Sequence, residues 1–145
     1  MTGRDLIRAA KVRATISQVE KFNTAINTFY GKYSYLPGDI PQQPAAQYGF
    51  APHGVSYGGQ GGDGNGYIEG NGISYGTSND GQCGEPLLAW EDLSSSAGGN
   101  LIEGGFNTAT SYTGPSFDIV TGANLNLYLP EAKLGGVIIF ISMKP

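Results

Sequence analysis

The stretch of this chain best suited to chemistry is "GDGNGYIEGNG", residues 62–72. Asp63, Asn65 and Glu69 stand there at spacings of two and four, separated by glycines. Short-spaced oxygen donors on a glycine-freed backbone are what a hard cation such as Ca²⁺ selects, with backbone carbonyls completing the shell. The expected cation set is therefore Asp63, Asn65 and Glu69, with Asp80 as an added ligand. The pattern departs from an EF-hand, because a third carboxylate and a bidentate Glu at the twelfth position are lacking. The competing reading is structural: Asp-Gly and Asn-Gly build tight turns without any ion.

Other reactive types are sparse. His53 is the chain's one histidine, between Pro52 and Gly54, and reads as a solvated loop residue. Cys83, the one cysteine, lies between Gln82 and Gly84 without a base beside it, so a nucleophilic role has no support. Gly62, Gly64 and Gly66 lack the preceding buried strand and following helix of a phosphate loop. No Gly-x-Ser-x-Gly elbow occurs. No enzyme is expected.

Those residues sit in a chain of 145 residues, enough for one core. Its 24 glycines and 14% charged residues suit a folded domain with tight loops. Nine Tyr, six Phe and one Trp argue against disorder. The net charge of −4 conceals a division. Residues 1–32 hold six basic and two acidic residues, a net +4, while the remainder holds two basic and ten acidic, a net −8. The bases lie around a helix among Ala, Thr and Ser, with no aromatic interleaving for base stacking, so nucleic acid is not the expected partner. A basic helix over an acidic body suits self-association.

The positioning elements begin with a helix over residues 4–35. Leu6, Ala9, Val12, Ile16, Val19, Phe22, Ile26, Phe29 and Tyr33 follow steps of three or four. Pro37 and Gly38 end the pattern. At about 1.5 Å per residue the rod is roughly 45 Å long, more than a compact domain can cover, so one end should project. Residues 36–84 read as a glycine-rich loop region, with twelve glycines between Gly54 and Gly84. Residues 85–97 read as a short helix with Pro86 in its first turn and Leu87, Trp90, Leu93 and Ala97 on one face. Residues 117–145 read as β: a weak strand at Phe117 to Val120, then Leu125, Leu127 and Leu129 alternating with polar neighbours, then the apolar run Val137 to Ser142. The expected fold is α+β in one domain over residues 1–145: the long helix on a small antiparallel sheet, through Val19, Phe22, Ile26, Phe29 and Tyr33.

At this point the chain resembles a known family. "DLIRAAKVRATISQVEKFNTAINTFYGKYSYLPGD" at 5–39 is similar to the segment after the membrane-spanning part of bacterial type IV pilin-like proteins, including type II secretion pseudopilins. The resemblance continues through "YGF" at 48–50, "GDGNGYIEG" at 62–70, "LLAWEDLSSSAGGNLIEGG" at 87–105 and "AKLGGVIIFI" at 132–141. Such proteins also carry a leader ending in Gly, then Phe-Thr-Leu-Ile-Glu and about twenty apolar residues, none of which is present in these 145 residues. The expectation is a soluble part whose membrane half lies upstream.

The resemblance implies a structural subunit, inserted in the bacterial inner membrane and processed by a prepilin peptidase. It would then assemble with copies of itself and other pilins or pseudopilins into a periplasmic or extracellular helical filament. Leu6, Ile7, Arg8, Lys11, Val12, Arg13 and Ile16 would form the filament interface. It also raises the expectation of Ca²⁺, which some secretion pseudopilins bind in a loop of the globular domain. The alternative is a minor pilin or tip adhesin whose glycine-rich loop binds a glycan, a surface or secreted cargo.

Overall fold

A computed structural model describes residues 2–53, 62–68, 85–106 and 125–135. Helix α1 spans Gly3–Tyr33, α2 Gln42–Tyr48 and α3 Glu85–Ser94, followed by a short 3₁₀ turn at Leu125–Leu127. No described helix is long and apolar enough to cross a membrane.

α1 begins and ends on local chemistry. Thr2 is its N-cap: the Thr2 hydroxyl accepts from the Asp5 N–H at 3.4 Å and the Asp5 carboxylate accepts from the Thr2 N–H at 3.3 Å, a reciprocal capping box. Ser34 closes the other end in the left-handed conformation (φ 61°), its N–H donating to the Tyr30 carbonyl. Between the caps the helix divides into two halves. Phe22, Ala25, Phe29 and Tyr33 are buried, whereas every described residue from Thr2 to Ala14 is exposed.

The buried half of α1 packs on α3 and on the segments around it. The Phe22 ring meets Trp90 edge-on at 5.1 Å, and Phe29, Tyr33 and Phe50 meet at tilted or edge-on angles, 4.6 to 5.5 Å from one another. The Tyr33 hydroxyl donates to the Ala97 carbonyl at 2.5 Å, which ties the end of α1 to the turn after α3. Residues 125–135 join the core through Leu129 and are tied to the middle of α1 by the Gln18 side chain. Gln18 Nε2 donates to the Glu131 carbonyl at 2.8 Å, and Lys133 N–H donates to Gln18 Oε1 at 3.0 Å.

This corrects the expected α+β fold. The described residues are helical and contain no β-strand, so they provide no sheet for α1 to cover. Leu125 to Leu129 alternates in sequence, yet Leu125–Leu127 winds as a 3₁₀ helix; Leu127 is exposed and Leu129, beyond the helix, is buried. A backbone that winds at three residues per turn does not present alternate residues on one face, so the strand pattern is lost there. The strand candidates Phe117 to Val120 and Val137 to Ser142 lie outside the described residues. The residues expected to face the sheet face α3 and its flanking segments instead: Phe22, Phe29 and Tyr33 are buried, and Ile26 is partly buried against the same cluster. Val19 is only half-buried. Helix α2, absent from the sequence reading, follows the Pro41 extended residue and ends on Gly49 in the left-handed conformation.

Candidate functional site

The turn Leu36-Pro37-Gly38-Asp39 lies fully buried where α1 ends, and polar groups converge on it from three directions. The Gly38 N–H donates to Asp92 Oδ2 at 2.7 Å, fastening the turn to α3. Gly38 has φ 87°, and a Cβ there would run into the Glu85 carbonyl oxygen, so the turn can approach the α3 backbone only through glycine. Asp39 faces the other way. Its Oδ1 accepts from the Gly64 N–H at 2.8 Å and its Oδ2 from the Gly66 N–H at 2.9 Å, while its backbone carbonyl accepts from the Gly64 N–H at 2.9 Å. The glycine-rich turn is thus wrapped round one buried carboxylate.

His53 supplies the third direction. It is 1% exposed, with Nδ1 2.8 Å from the Ile40 carbonyl and Nε2 2.9 Å from Asp92 Oδ1. The Phe50 ring stacks on the imidazole at 6.0 Å. The solvated loop histidine expected from sequence is therefore a core residue. Asp92 joins Gly38 through one oxygen and His53 through the other, so a single α3 side chain holds both ends of residues 38–53.

Burial sets the titration of the cluster. It raises the Asp92 pKa, against the opposing pull of His53. Burial alone would lower the His53 value, yet the hydrogen bond and charge of Asp92 outweigh it and the net direction is upward. Neighbouring Glu91 is pushed up to about 7 by its own burial and then by the Asp92 charge. Asp39 is raised by burial and by the Asp63 charge, partly offset by its two glycine N–H donors.

The expected calcium set is rearranged. Asp63 and Asn65 do lie together, but they close on each other: the Asn65 N–H and side-chain amide donate to the two Asp63 oxygens at 3.0 Å, and Asn65 Oδ1 accepts from the Tyr67 N–H at 2.8 Å. That is an Asx turn, the structural reading of Asp-Gly-Asn-Gly. Glu69 and Asp80 lie outside the described residues. The carboxylates that the fold does bring near Asp63 are Asp39 and Glu85, with one oxygen of each of the three within 4.8 Å of the others. By donor type this trio fits a hard cation, and Asp39, Asp63 and Glu85 are the residues that would hold it.

The residues expected at the filament interface form the exposed half of α1. Leu6 is 57% exposed, Ile7 61%, Val12 43% and Ile16 54%, so all four present apolar surface to solvent. Arg8, Lys11 and Arg13 are exposed among them, and among the described residues none of the three is in an ion pair.

Compared with protein-family models, curated proteins and solved structures, the chain has no match.

Sequence reasoning missed Asp39, His53 and Asp92 as a unit. One signal was present: α3 is apolar nearly all round, through Leu87, Leu88, Ala89, Trp90 and Leu93. Acids inside such a helix are drawn towards the core, and a carboxylate buried there, as Asp92 is, demands a partner.

Proposed function

We propose that the chain is the globular part of a structural subunit of a type IV pilus or type II secretion pseudopilus filament, assembling through the first half of α1. The observation that carries the reading is the division of α1. Its second half anchors the core, while Leu6, Ile7, Val12 and Ile16 project uncovered beside Arg8, Lys11 and Arg13. Scattered exposed apolar residues need no explanation, but four along the first 14 residues of one projecting helix suit packing against copies of that helix. The sequence resemblance at residues 5–39 supports the same assignment. On this reading, α1 continues an apolar segment inserted in the inner membrane before assembly, and the subunit then enters a filament outside the cytoplasm with other pilins or pseudopilins.

Charge adds a second element to the reading. The +4 helix and the −8 remainder can face one another between neighbouring subunits, where apposed opposite charges steer association and fix register. Charge reversal at Arg8, Lys11 and Arg13 together, in the full-length protein, should abolish filaments. Assembly at the native level would count against the role given to these residues.

A further inference from the structure

The His53–Asp92 contact fixes a proton count. The Ile40 carbonyl can only accept, so His53 Nδ1 must carry hydrogen across its 2.8 Å contact. Asp92 Oδ2 accepts from the Gly38 N–H, leaving Oδ1 to meet Nε2 at 2.9 Å. Two bare lone pairs cannot face each other at that distance. Either Nε2–H donates to an ionised carboxylate, or a protonated Oδ1 donates to a neutral ring. Both arrangements hold one proton more than a neutral histidine beside an ionised aspartate. Both side chains are 1% exposed or less, which leaves solvent little access to the contact.

We propose that the folded chain stores one proton in the His53–Asp92 pair, and that loss of this proton sets a bare Nε2 against the ionised Oδ1 and breaks the tie between residues 40–53 and α3, while the Gly38 N–H keeps its bond to Oδ2: a pH-sensitive latch beside the end of the long helix. The unfolded chain gives up that proton as pH passes the ordinary histidine value near 6.5, so folding above it takes up one proton from solvent. The charged groups acting on the pair, among the described residues, are few. Glu91, from α3, acts on His53 and is itself raised by Asp92; the Gly38 N–H and the Ile40 carbonyl come from the turn that follows α1. Glu91 retains its own proton only up to about pH 7, so above that value the pair titrates without it. The latch does not rest on the filament assignment, because it concerns the core of the domain alone.

Asp92→Asn separates the latch from ordinary core packing. The asparagine oxygen can accept from the Gly38 N–H while its amide donates to an unprotonated Nε2. Nδ1–H still donates to the Ile40 carbonyl, and every hydrogen bond survives without the stored proton. The test is urea unfolding of the whole chain between pH 7 and 8.5, for the native sequence, Asp92→Asn and Glu91→Gln. The folding constant of the native chain should fall about tenfold per pH unit relative to that of Asp92→Asn, and Glu91→Gln should track the native chain. Parallel pH dependence of the native chain and Asp92→Asn would overturn the proposal. Should Asp92→Asn fail to fold, proton uptake on refolding the native chain at pH 7.5, read from calorimetry in two buffers of different ionisation enthalpy, serves instead. Close to one proton upholds the latch, and none overturns it.

Discussion

Gly38 and Asp92 meet where two backbones come within touching distance, and the cost of disturbing either is set by that closeness. Gly38→Ala would force a Cβ into the Glu85 carbonyl at a positive φ, combining overpacking with left-handed strain. A loss of roughly 2–4 kcal/mol is expected, measured by urea unfolding. Glu91 gives a second prediction at this scale. Its folded value of about 7 lies above its ordinary value near 4.5, so between those limits the folded state binds more protons than the unfolded one. Its contribution is therefore complete below about pH 4.5 and is lost as pH rises towards 7. Discounted for its part exposure, the change is on the order of 1–2 kcal/mol. Glu91→Gln should flatten the stability profile between pH 5 and 7; an unchanged profile would show that the side chain is not the titrating group.

Among the elements, α1 has a buried half and an exposed half, and substitutions in the two should separate experimentally. Phe22→Ala removes a ring packed edge-on against Trp90 and should cost about 3–5 kcal/mol in unfolding free energy. Ile16→Ser, six residues earlier on the exposed half, should change stability by no more than about 0.5 kcal/mol. Much of α1 was legible in the sequence. Its length, its end before Pro37 and its buried aromatics all follow from apolar spacing and punctuation, which are local properties. What it packs against was not legible. Alternating leucines at 125, 127 and 129 satisfy the strand pattern, yet the first two lie in a 3₁₀ turn, because alternation specifies a face only once a strand exists. Likewise Asp63 and Asn65 were recognised as oxygen donors, but spacing alone could not show that each would satisfy the other. The pairing of His53 with Asp92 joins residues 39 apart and leaves no local trace beyond an acid in an apolar helix.

At the scale of the whole molecule, the domain folds around the second half of one helix, and on the proposed reading the exposed first half packs against other subunits. Its base is held by three buried polar anchors, Asp39, His53 and Asp92, all attached to the turn that follows α1 or to the α3 helix against it. If the exposed half of α1 is the assembly surface, as proposed, stability and assembly are independent at that end. The most direct test places Ile7→Asp and Ile16→Asp together in the full-length protein, with electron microscopy of filaments from the producing cells and thermal unfolding of the 145-residue chain carrying the same changes. The account predicts no filaments and a melting temperature within a few degrees of the native chain. Filaments of native number and length, with both aspartates in place, would contradict it.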